Sequence, residues 1–150
     1  MTINHDPNPG ELLTTKEYND QNDQLVQLNT VKGTKILLFV SMHCVRCIEL
    51  LPQIRDLRLP NTGIVIFSTG DQEDHKELDD FLQKKWSIVS LSSEQMEEEF
   101  EVKTHPFCIV ADATGRILNR GNVYSGEDVS NLASVNGEGK LKRLIGHLFN

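Results

Sequence analysis

Ile36-Leu37-Leu38-Phe39-Val40-Ser41-Met42-His43-Cys44-Val45-Arg46-Cys47-Ile48-Glu49-Leu50-Leu51-Pro52 is the stretch from which the fold follows. Its first five residues are all apolar, the pattern of a strand buried on both faces. Beyond the second cysteine, Leu50, Leu51, Ile54 and Leu57 fall at helical spacing. A strand is predicted over residues 35–41 and a helix over 43–58. Cys44 then sits at the helix N-terminus. The unpaired N–H groups of the first turn and the positive end of the helix dipole favour a thiolate there. A thiolate that attacks a disulfide, with a second thiol placed to close the ring behind it, is a thiol–disulfide exchange device.

Two other readings stand against exchange. Structural zinc usually takes four ligands, often in paired clusters. No second CxxC and no HxxxH follows, and only Cys108 and scattered histidines remain. The pair could also be inert, since a free cysteine packs well in a core. Redox chemistry is the better reading of a CxxC in an α/β setting.

On the N-terminal side, residues 1–22 are rich in Asn, Asp, Pro and Thr and are expected to be loosely ordered, leaving one domain over 23–150. Val26, Leu28 and Val31 alternate as a short strand before a turn at Lys32-Gly33-Thr34. Pro52 lies inside the cysteine helix and should kink it. Downstream, Gly63–Ser68 is a second apolar strand, and Asp71–Trp86 is a charged helix burying Leu78, Phe81, Leu82 and Trp86. Ser87–Leu91 is a short strand, and a helix starts at Ser93 with Met96 and Phe100 on its inner face. Phe107–Ala111 is a strand, Asp112–Gly115 a turn, and Arg116–Asn119 pairs back as a hairpin. Leu141, Leu144, Ile145 and Leu148 mark a final amphipathic helix. Strands alternating with helices, then a hairpin, imply an α/β class with a mixed sheet flanked by helices on both faces.

The chain has 150 residues and a net charge of −7, which argues against a nucleic-acid partner because little here would neutralise phosphates. No stretch is long or apolar enough to span a membrane. The start, Met1–Pro7, has neither a basic n-region nor an apolar h-region, so the chain as given is expected in the cytoplasm. An extracytoplasmic location is expected instead if a signal or anchor has been removed. Three cysteines are too few for a disulfide-stapled scaffold.

These features together resemble the thioredoxin fold. A strand leads straight into a CxxC helix, and Pro52 stands five residues after Cys47, where thioredoxin-like proteins carry a proline. Lys103-Thr104-His105-Pro106-Phe107-Cys108-Ile109-Val110-Ala111-Asp112-Ala113-Thr114-Gly115-Arg116-Ile117 is similar to the segment holding the family's cis-proline. The resemblance implies a cis His105–Pro106 bond facing the cysteines. An extra βα insertion before that strand resembles the TlpA and ResA branch of thiol–disulfide oxidoreductases. The cysteine motif and its Leu-Leu-Pro are similar to MauD proteins, and a sporulation-killing-factor type of thioredoxin-like protein is a further candidate. The resemblance covers roughly residues 24 to 149.

The implied function is exchange on a protein or peptide thiol or disulfide, helped by a redox partner protein, with no cofactor and no metal. Cys44 is the nucleophile and Cys47 resolves; a cytoplasmic location would favour work as a reductase. His43, Val45, Arg46, His105 and Pro106 are the residues expected to meet substrate and shape the site. The sequence departs from the family in three places. His43 replaces the usual Trp, Leu38 occupies the place of thioredoxin's buried Asp, and the ResA-type base has no counterpart beyond Glu49, which is expected to face solvent. The proton of Cys47 is then expected to leave through water, Glu49 or His105. His43 and His105 read equally well as proton carriers and as plain cover and backbone contacts. Arg46 reads as a cation beside a thiolate or as a solvated arginine. Cys108, two residues past Pro106, reads as core. The competing function is a copper- or zinc-binding module using Cys44, Cys47 and His105. A peroxidase is disfavoured, because Leu37 stands where its Pro-x-x-x-Thr/Ser-x-x-Cys motif needs proline.

Overall fold

The computed structural model describes residues 10–29 and 33–134. Its elements in chain order are β1 (Glu17–Asn19), β2 (Leu25–Gln27), β3 (Thr34–Val40), α1 (Val45–Arg55), β4 (Thr62–Ser68) and α2 (Gln72–Phe81), then β5 (Ser87–Ser90), α3 (Ser93–Phe100), β6 (Phe107–Ala111), β7 (Ile117–Asn122) and α4 (Gly126–Ala133).

Five strands form the main sheet, in the order β5-β4-β3-β6-β7. β4 runs parallel to both β3 and β5, while β6 is antiparallel to β3 and β7. Central β3 is apolar throughout its buried length because it is covered twice: Ile36, Leu38 and Val40 face one side, Leu37 and Phe39 the other. On the first face pack α1, α2 and α4, through Leu50, Leu51, Ile54, Leu78 and Val129. Two successive parallel crossovers that step the same way across a sheet put their helices on the same face, which is why α1 and α2 lie together. On the second face pack Met96 and Phe100 of α3, with Tyr18 and Val26 of the β1–β2 pair. Phe39, Phe67 and Phe100 form its centre, with ring centroids 4.9–5.0 Å apart. Two βα units, β4–α2 and β5–α3, separate the cysteine helix from β6, and they contain the additional strand and helix expected there.

Several expectations change. The N-terminal stretch from residue 10 is not loose. Leu13 and Tyr18 are core residues, and β1 pairs antiparallel with β2. The hydrophobic effect overrides the polar composition, because two well-placed apolar side chains suffice to anchor a short hairpin. β2 therefore belongs to this hairpin rather than to the main sheet. Helix α2 ends at Phe81, which stays 39 % exposed with the Arg55 guanidinium 4.7 Å from its ring centroid. Helix α3 does start at Ser93, and its N-cap is Ser92, in a capping box with Gln95. Helix α4 was not expected at all. The expected helix over Leu141–Leu148, together with Val31 and Lys32, lies outside the described residues.

Candidate active site

The site forms where the parallel strands β3 and β4 end, the edge at which open α/β sheets commonly place their chemistry. Leaving β3 at Val40, the chain makes a turn closed by the Cys44 N–H donating to the Ser41 carbonyl at 3.1 Å. Cys44 is the N-cap of α1, extended at φ −103° and ψ 116°. Its Sγ accepts the Cys47 N–H at 3.2 Å, and its carbonyl accepts the Ile48 N–H at 3.1 Å. A sulfur thus takes the place usually held by a Ser or Asp oxygen, satisfying one orphan donor of the helix. Cys47, one turn on, is fully buried, and its Sγ accepts the Ser41 N–H at 3.4 Å. Burial pushes the Cys47 thiol up to about 12, and its hydrogen bond with Cys44 adds to this, while the Ser41 N–H opposes it. All three cysteines are free thiols.

The register Phe39↔Phe107 puts the residues before β6 beside the end of β3. The His105–Pro106 bond is cis, and the His105 carbonyl oxygen lies 3.8 Å from Cys44 Sγ. Thr104 and Asn122 fasten this loop: the Asn122 amide donates to the Pro106 carbonyl at 3.0 Å and to Thr104 Oγ1 at 2.9 Å. The His105 ring points elsewhere. Its Nε2 is 3.1 Å from Met96 Sδ on α3, and burial lowers its pKa. The peptide unit of His105 faces the thiols, whereas Nε2 rests on a thioether. A copper or zinc site through Cys44, Cys47 and His105 gains nothing from this arrangement, and no metal-binding cluster of three or more His, Cys, Asp or Glu occurs among the described residues.

The remaining predicted residues occupy the rim or the core. His43 and Arg46 are exposed, and Val45 is 72 % exposed. Glu49 is exposed on α1 and makes no hydrogen bond to Cys47. Pro106 is buried. Leu38 is fully buried between its strand neighbours Ile66 and Cys108, so the position of thioredoxin's acid is wholly apolar. Cys108 is likewise fully buried, its thiol pushed up to about 12 by burial. Lys35 is buried too, but at the opposite end of β3, where its Nζ donates to the Asp112 carbonyl at 3.2 Å.

Sequence reasoning missed Tyr124, Asn122 and the Ser41–Thr69 hydroxyl pair. The Tyr124 ring lies under the Arg46 guanidinium, 5.1 Å from centroid to Cζ. Thr69 Oγ1 donates to Ser41 Oγ at 3.3 Å and accepts the Met42 N–H at 3.4 Å, tying the cysteine turn to the end of β4. A signal for Tyr124 did exist: Ser125 and Asp128 have the spacing of a helix N-terminus, and the Ser125 hydroxyl accepts the Asp128 N–H at 3.1 Å.

No family model matches the chain. Among solved structures, peroxidoxin BcpB of Mycobacterium tuberculosis superposes with a TM-score of 0.72 at 15% identity, over 85% of this chain and 95% of that one. The thioredoxin domain of a thiol-disulfide oxidoreductase from Bacteroides vulgatus gives 0.65 at 19% identity, over 91% and 96%. The chain has the thioredoxin fold. In sequence it is similar to the methylamine utilization protein MauD of Methylophilus methylotrophus, 28% identical over 145 residues, which is 93% of this chain and 67% of that protein. Among the described residues no helix is long and apolar enough to cross a membrane.

Proposed function

We propose that this protein carries out thiol–disulfide exchange on a protein or peptide substrate, with Cys44 as nucleophile and Cys47 as resolving thiol. The observation that supports it most is the arrangement of the pair. Cys44 Sγ caps the helix, half-exposed, while Cys47 lies buried one turn behind, hydrogen-bonded to it. The Cys44 thiolate attacks a substrate disulfide, forms one S–S bond and expels one substrate thiolate, which takes up a proton. Cys47 then loses its proton and attacks Cys44 Sγ. The mixed disulfide breaks, the second substrate sulfur leaves as a thiolate and takes up a proton, and two electrons have passed to the substrate dithiol, leaving the protein oxidised with a Cys44–Cys47 disulfide. The Ser41 N–H stabilises Cys47 as it ionises. A dithiol redox partner protein returns the pair to its reduced state.

His43, Val45, Arg46 and the His105–Pro106 segment form the surface that meets substrate. The half-buried His105 offers its backbone groups, while its ring is engaged with Met96. The test is reduction of insulin disulfides with dithiothreitol as donor, run beside a zinc titration of the reduced protein. Catalysis that Cys44→Ser abolishes supports exchange. Stoichiometric zinc binding without catalysis supports the metal module instead.

A further inference from the structure

Arg46 is a cation that the fold presents rather than neutralises. It is exposed between the two cysteines and forms no ion pair among the described residues. The carboxylates of Glu49, on its own helix, and of Asp128, on α4, form no ion pair with it. Glu49 lies three residues along α1, and Asp128 is occupied in accepting the Tyr124 N–H at 2.8 Å. What holds Arg46 is the Tyr124 ring, with the guanidinium 5.1 Å from its centroid. Cation–π contact orients the group without cancelling its charge.

The platform is itself fixed. Tyr124 precedes α4, whose first residue, Gly126, donates its N–H to Gln53 Oε1 of α1 at 2.8 Å. A Cβ at Gly126 would come within 3.3 Å of Gln53 Cβ, a tight contact that glycine avoids where α4 meets α1. Beside the pair lie the exposed apolar side chains Val45 and Ile48.

We propose that Arg46 and Tyr124 are specificity residues: they favour substrates carrying an acidic side chain next to the disulfide cysteine and disfavour those with a basic one. This rests on the exchange reading above. The chain's net charge of −7 would repel an acidic ligand from afar, but screening over roughly 8–10 Å leaves the contact charge to decide.

The experiment uses disulfide-linked peptides identical except for Asp, Gln or Lys beside the cysteine, with hydroxyethyl disulfide as an uncharged probe of the chemistry. Reduced wild type should react about fivefold faster with the Asp peptide than with the Lys peptide at low salt, the scale of one exposed attraction set against one repulsion. High salt should close the gap. Arg46→Gln should abolish most of it. Tyr124→Leu, which keeps the charge but removes its support, should narrow it. Equal Asp and Lys rates in wild type, or a gap that survives Arg46→Gln, would overturn the specificity proposal alone. Failure to react with hydroxyethyl disulfide as well would overturn the exchange reading instead.

Discussion

Cys44 and Cys108 show how place decides what a thiol does. Both belong to the core face that holds Cys47, but Cys44 is half-exposed at a helix start, while Cys108 is sealed between Leu38 and the β7 strand. Cys108→Ala should therefore keep exchange within a few-fold and cost about 1–3 kcal/mol of stability, as removal of a small buried group does. Denaturant titration and an exchange assay check both. The buried thiols also fix an alkaline limit. Below the ordinary thiol value of 9.0, folded and unfolded chains both hold these protons, so stability does not vary through them. As pH rises from 9.0 towards about 12, the unfolded chain releases protons that the folded one retains, and the reduced protein should lose stability across that window. Cys108→Ala should make the fall shallower; an unchanged slope would mean that Cys108 is not protected by burial.

Elements with continuous apolar runs were legible. β3, β4 and β6 read directly from the chain, and the CxxC helix followed because β3 delivers it. The misreadings share a cause: their signals are tertiary. Helix α2 stops because Gln83 and Lys84 adopt left-handed φ values of 61° and 56°, and neither is a glycine that would announce the stop. Helix α4 spans eight residues and buries little beyond Val129, too short for periodicity to register. At the N-terminus, Tyr18 lies in a polar stretch, yet it is only 6 % exposed, packed edge-on to Phe67 at 5.4 Å and tilted on Phe100 at 6.1 Å. Tyr18→Ala should cost about 3 kcal/mol in equilibrium unfolding, as truncation of a buried aromatic does. A change within about 0.5 kcal/mol, the range of ordinary surface substitutions, would show that the hairpin is an ornament rather than part of the core.

At the scale of the molecule, the N-terminal segment reaches both edges of the sheet. Leu12 bridges to Arg116 just before β7, and Asp20 bridges to Val89 on β5, covering strand edges that would otherwise invite pairing with another chain. The sheet separates two tasks. One face carries an aromatic core with no thiol, and the other carries all three cysteines with α1 and α4 packed over them. Of the candidate site, the CxxC pair is local in sequence and could be read there, whereas His105, 61 residues from Cys44, and Pro106 were placed beside it only by what the resemblance implied. Asn122 at the end of β7 and Tyr124 between β7 and α4 were not legible, because only the folded chain brings them alongside. The central claim is the division of labour within the pair, and trapping of mixed disulfides with a peptide substrate tests it most directly. Cys47→Ser leaves the attacking thiol and removes the resolver; Cys44→Ser keeps an oxygen at the N-cap, preserving the helix while removing the nucleophile. Mass spectrometry should find the mixed disulfide accumulating on Cys44 in Cys47→Ser and absent in Cys44→Ser. Equal trapping by the two variants would contradict the account.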